Sequence, residues 1–67
     1  MIQLIINGQL QHFCATLSVT QLLESMTLEN KRIAVERNGQ IIPRSEFGKQ
    51  TLVNGDQLEI VIAVGGG

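Results

Sequence analysis

A chain without tryptophan or tyrosine, and with Phe13 and Phe47 as its two aromatics, offers no platform on which nucleic-acid bases stack. An excess of one charge is lacking too. Five basic against six acidic residues give a net charge of −1, which is no basic footprint, so no nucleic-acid partner is expected. Cys14 is the lone cysteine, so no disulfide closes within the chain. A single thiol and no signal-peptide pattern point to a reducing compartment, and a cytoplasmic location is expected. The longest apolar run, Ile60–Val64, falls far short of the roughly 20 residues that span a bilayer, so no membrane association is expected. His12 is the sole histidine, and metal-ligand spacings, phosphate loops and nucleophile elbows are missing. These absences argue against nucleotide hydrolysis and metal-dependent catalysis. The expectation is a chain that is not an enzyme and binds no cofactor, with any chemistry belonging to a partner.

What is present suits one small packed domain. The chain has 67 residues, 43% of them hydrophobic. A chain this short hides only about 60% of its unfolded surface, so its stability is marginal. Ile2–Ile6 reads as a strand rich in branched residues, Asn7-Gly8 as a type I′ hairpin turn, and Gln9–Cys14 as the returning outer strand. Cys14 is expected there as a small core or edge-strand hydrophobe, and His12 as a solvated strand residue. A helix follows. Ser18 is its expected N-cap and Gln21 completes a capping box, with Leu17 placed to staple onto Leu22. Val19, Leu22, Leu23 and Met26 then fall on one helical face. Thr27–Lys31 forms the exit loop.

Ile33–Glu36 predicts another strand, and Asn38-Gly39 a second turn. Ile41-Ile42 is confined to a sheet edge by Pro43, which cannot donate to a ladder. Arg44–Gln50 reads as a loop or a single helical turn, and Asn54-Gly55-Asp56 as a third turn. Leu58–Val64 is the last strand. The first and last strands are the most apolar, and apolar on both faces, which marks them as central neighbours. The order, two strands, a helix, two strands and a closing strand, fits an α+β fold of the β-grasp type, as in ubiquitin. It has a mixed sheet of about five strands with one main helix across one face. Residues 1–64 form the expected domain.

Gly65-Gly66-Gly67 then form a tail without side chains. Such a tail threads a narrow channel and presents a free carboxylate, although a linker or frayed end has the same composition. Strand alternation turns Ile2, Leu4 and Ile6 toward the helix with Ile60, Ile62 and Val64. Ile5, Val61 and Ala63 then face away, as an apolar docking surface next to the tail. Lys31, Arg32 and Arg44 read as surface charges.

The run Ile33-Ala34-Val35-Glu36-Arg37-Asn38-Gly39-Gln40-Ile41-Ile42-Pro43-Arg44-Ser45-Glu46-Phe47 resembles the middle of the ThiS family, sulfur carriers of thiamine biosynthesis. Gly55-Asp56-Gln57-Leu58-Glu59-Ile60-Val61 and Val64-Gly65-Gly66-Gly67 are similar to the family's end. The resemblance covers nearly the whole chain, and Pro43-Arg44-Ser45-Glu46 with a terminal glycine pair is its most specific part. Phe47 stands where the family often has tryptophan, and Gly65 adds a third glycine ahead of the usual pair.

The resemblance implies a protein substrate. Gly67 would be adenylated by a ThiF-like, ATP-dependent activating enzyme. Sulfur from a persulfide donor would then displace AMP, leaving a thiocarboxylate. That group would deliver sulfur to a ThiG-like thiazole synthase. Gly65 and Gly66 would pass through the partners' active sites, while Ile5, Val61 and Ala63 would dock. ATP would be bound by the partner. A carrier for molybdopterin synthase shares the fold and the glycine end, and conjugation to lysines needs the same activated terminus. A non-catalytic β-grasp interaction module cut from a longer protein is a further alternative, against which the start at Met1 and the abrupt glycine end argue.

Overall fold

The structure is a computed structural model, and it describes residues 1–63. Along the described residues the elements are β1 (Ile2–Ile6), β2 (Gln9–Phe13), β3 (Leu17–Ser18), α1 (Val19–Ser25), β4 (Ile33–Arg37), β5 (Gln40–Ile42), β6 (Thr51–Leu52) and β7 (Gln57–Ile62). One 3-10 turn, Arg44–Glu46, lies between β5 and β6. The main sheet has the order β2-β1-β7-β4-β5, and β3 pairs with β6 in a small second sheet. β1 and β7 run parallel, and the other neighbours run antiparallel. The two apolar strands are therefore neighbours, and Pro43 follows an edge strand, as the sequence predicts.

Both Asn-Gly pairs make tight turns with positive φ at each residue, +51° and +82° for Asn7 and Gly8, +52° and +86° for Asn38 and Gly39. These are the values a type I′ hairpin requires, and asparagine and glycine tolerate them. The first hairpin registers Ile2 with Phe13, where both strands end. Cys14 has no rung left to occupy, so the chain bends away and leaves it an exposed free thiol rather than the expected strand hydrophobe.

The helix starts where the capping box places it. Ser18 Oγ accepts from the Gln21 N–H at 3.1 Å, and the Ser18 N–H donates to Gln21 Oε1 at 2.9 Å. The N–H groups of Val19 and Thr20 donate to the carbonyls of Gln50 and Phe47 at 3.3 and 3.1 Å. The loop after β5 thus satisfies donors that a helix start would otherwise leave bare. At the other end the Leu28 N–H donates to Leu23 O at 2.8 Å and the Thr27 N–H to Glu24 O at 3.0 Å. This is a Schellman closure, with Thr27 at φ +61° where glycine is usual.

Val19, Leu22 and Leu23 pack against Ile2, Leu4, Ile6, Ile33, Val35, Ile42, Leu58 and Ile60, and Phe47 and Leu52 belong to the same core. Each such burial contributes about 1.5–3 kcal/mol, set against the entropy of ordering the chain. Met26 is only partly buried against this core. β7 departs from expectation at its end. It runs Gln57–Ile62 rather than from Leu58 to Val64, and Val64 lies outside the described residues. Ile62 has the inward register but is 43% exposed, because β7 overruns β1 there and the seven-residue helix does not cover that end of the sheet.

Candidate functional site

The strand that leads to the glycine tail is held from both sides by asparagine side chains. On one side the Ile60 N–H donates to Asn7 Oδ1 at 2.8 Å, and Asn7 Nδ2 donates to the Ile60 carbonyl at 3.2 Å. On the other, the Gln57 N–H donates to Asn38 Oδ1 at 2.9 Å, and Asn38 Nδ2 donates to Asp56 Oδ1 at 3.1 Å. The two glycine turns therefore work as clamps on β7 as well as reversals of the chain. Sequence reading finds the turns and misses the clamps, since nothing local tells which strand an asparagine amide will meet.

Asp56, read from sequence as a turn residue, is the one buried charged side chain among the described residues. Its Oδ2 lies 2.7 Å from Arg37 Nη2 and accepts from the Val53 N–H at 2.9 Å. Burial pushes its pKa up. The hydrogen bonds from Val53, Asn38 and Arg37, with the Arg37 charge, more than offset this and hold the carboxyl below its usual range. This network anchors the start of β7.

Of the expected docking residues, Val61 lies near the far end of β7, Ala63 just after it, and Ile5 on β1. Val61 is 60% exposed, Ala63 is exposed and Ile5 is half-buried. All three fall on the outer face, but they do not form one patch. Ile5 lies opposite Gln57, four residues along β7 from Val61, or about 13 Å at about 3.3 Å per residue. Glu59 stands between them on that face and is directly opposite Glu36 of β4. Val61 has Ala34 as its neighbour, and Ile41, exposed on β5, lies beside Glu36. The expected apolar surface is thus split by a carboxylate pair. A hollow of about 340 Å³ lies between the two glycine turns, lined by Ile5, Gly8, Glu36, Gly39, Gln57, Leu58 and Glu59. Gly65, Gly66 and Gly67, the expected tail, lie outside the described residues.

The Pro43-Arg44-Ser45-Glu46 segment builds the 3-10 turn: the Glu46 N–H donates to Pro43 O at 2.8 Å and the Phe47 N–H to Arg44 O at 3.1 Å. The turn drives Phe47 into the core and leaves Arg44 exposed. His12, Lys31 and Arg32 are exposed as well. Among the described residues no group of acidic, histidine and cysteine side chains is placed to hold a metal ion, and no helix is long and apolar enough to cross a membrane.

Residues 4–67 match the model of the ThiS family, so the matched stretch includes the three glycines. A thiazole synthase of Paramagnetospirillum magneticum is 40% identical over 97% of this chain, which spans only 20% of that protein's length. The sulfur carrier protein ThiS of Bacillus subtilis is 44% identical over 75% of this chain and 76% of its own. Among solved structures, the crystal structure of the thiamine biosynthesis protein ThiS from Geobacter metallireducens superposes with a TM-score of 0.84 at 30% identity, covering 98% of this chain and 100% of that one.

Proposed function

The chain belongs to the ThiS family, and on that premise we propose that it carries sulfur for thiamine biosynthesis on the carboxyl group of Gly67. The observation that carries this reading is the family match through Gly67, on a fold whose last strand, β7, ends at Ile62, shortly before the glycine run in the sequence. A terminal carboxyl has a pKa of about 3.3–3.7, so it is an anion at neutral pH and a poor acyl donor. An ATP-dependent adenylating enzyme supplies the leaving group: a carboxylate oxygen bonds the α-phosphorus and pyrophosphate departs. The terminal sulfur of a persulfide donor then attacks the acyl carbon and displaces AMP, giving an acyl disulfide. A thiol attacks the donor-side sulfur, becomes a disulfide with the donor, and releases the thiocarboxylate on Gly67.

The acceptor is a thiazole synthase. The likeness to a stretch of a protein bearing that name supports the pairing. The chain itself supplies no catalytic group in this scheme and binds no cofactor; ATP belongs to the adenylating enzyme. Its contribution is positional. Gly65 and Gly66 have no side chains to strike the walls of a buried site, and three extended residues reach about 10–11 Å beyond Val64. Ordering them costs about 1–2 kcal/mol per residue, which docking by the domain offsets. Val61 and Ala63, which are exposed, and the half-buried Ile5 are the residues proposed to dock, in a cytoplasmic setting.

The test is the intact mass of the protein from cells making thiamine. A species heavier by one oxygen-to-sulfur exchange, with the change localised to Gly67, is the expected result. Its absence from such cells, with the adenylating enzyme active, overturns the reading. A variant with one residue added after Gly67 should keep its fold and lose adenylation.

A further inference from the structure

The edge of β7 that faces β1 stops being paired one rung before the strand ends. β1 registers with β7 only as far as Ile6 opposite Leu58. Its next residue, Asn7, donates its N–H to Leu58 O at 2.9 Å, and its side chain then takes both backbone groups of Ile60. Backbone polar groups along a strand point alternately to its two neighbours. The Ala63 N–H donates to Arg32 O on the β4 side at 2.9 Å, so Ala63 and Val61 bond toward β4. Ile62 therefore turns its N–H and C=O to the β1 side, where no strand and no side chain among the described residues meets them. The side chains on either face of this rung are apolar and exposed, Val61 at 60% and Ile62 at 43%.

A free N–H and C=O pair flanked by β-branched side chains is complementary to an extended peptide backbone, and to little else. We propose that Ile62 is a strand-addition site for an extended segment of the adenylating enzyme, which pairs with β7 where β1 leaves off. The inference rests on the carrier reading and deepens it. The occupant is the enzyme that admits the tail, because Ile62 stands shortly before the glycine run in the sequence. The alternating side chains of the added strand cover Val61 on one face and Ile62 on the other. Asn7 limits the free edge.

The test is amide hydrogen exchange of the full-length protein, alone and saturated with its cognate adenylating enzyme. Ile62 should exchange as an open amide in the free protein and slow by about tenfold or more in the complex, as a gained hydrogen bond requires. A second measurement uses Ile62→Pro. Proline removes an N–H that the β4 ladder does not use, so the thermal midpoint should shift little. The KM for the carrier in AMP formation should rise by about tenfold, the factor that one lost hydrogen bond gives, with kcat nearly unchanged. A complex that forms, with Ile62 exchanging as fast as in the free protein, overturns the proposal. Protection that rises with protein concentration and no enzyme places a second copy on the edge and overturns it too. If the enzyme neither binds nor adenylates the wild-type chain, the carrier reading itself falls, and the inference with it.

Discussion

Arg37 and Asp56 form an ion pair, Nη2 to Oδ2 at 2.7 Å, that ties β4 to the residue preceding β7. The pair is not isolated. Arg37 also donates to Gln50 Oε1 at 3.2 Å and to the Thr51 carbonyl at 3.0 Å, so it reaches the loop that seats the helix. One guanidinium therefore joins the sheet, the start of β7 and the segment under α1.

Acid should weaken the fold through this pair. The folded-state pKa of Asp56 is depressed, so the unfolded chain binds its proton more readily. The stabilisation is complete above the unfolded carboxylate value of about 3.9 and is lost as pH falls through the lower folded value. Asp56→Ala should cost about 1.5–3 kcal/mol at neutral pH, the range for hydrogen bonds to a charged group. It should also flatten the fall of stability below about pH 4. Urea midpoints at neutral and acid pH check both, and an unchanged acid limb would refute the assignment.

Thr27 holds a left-handed conformation that a β-branched residue adopts at a cost. Thr27→Gly should raise stability by up to about 1 kcal/mol, the relieved strain exceeding the added freedom of the unfolded chain. Thermal unfolding of the pair of proteins measures it. A loss of stability would mean that the threonine side chain does more than its exposed position suggests.

Glu36 and Glu59 are direct cross-strand partners, and like charges so placed repel. Glu59→Gln should stabilise the monomer by about 0.2–1 kcal/mol, with the gain shrinking as salt is added. A gain that is independent of ionic strength would argue against repulsion as its source.

Ile60 and Val61 separate folding from docking. Ile60 is buried, and Ile60→Ala should destabilise by about 2–5 kcal/mol. Val61→Glu should leave the thermal midpoint nearly unchanged, because the side chain already faces water, yet impair AMP formation by the adenylating enzyme. A carboxylate pressed into an apolar contact is desolvated without a partner. A folded, normally activated Val61→Glu protein would take Val61 out of the docking surface.

Much of this molecule was legible along the chain, and for a common reason: the signals were local. Asn7-Gly8 and Asn38-Gly39 set their own turns, since only a few residue types accept those backbone angles. Ser18 and Gln21 set the helix start within four residues of each other. Apolar residues on both faces marked β1 and β7 as neighbours. The Gly65-Gly66-Gly67 run and the Pro43-Arg44-Ser45-Glu46 segment carried the family resemblance that the match over residues 4–67 bears out.

What only the tertiary structure decided depends on residues far apart in sequence. The turn asparagines became clamps on β7 because folding brings Asn7 to Ile60 and Asn38 to Gln57. Asp56 became a buried anchor only once Arg37 lay beside it. Cys14 was expelled because the hairpin register ran out at Phe13. The outer face was split because β4 and β7 align Glu36 with Glu59, and the rung at Ile62 has no partner among the described residues because β1 ends sooner than β7. Alternation assigns each residue to a face, but register and strand length decide what stands beside it, and these are set by pairing between distant segments.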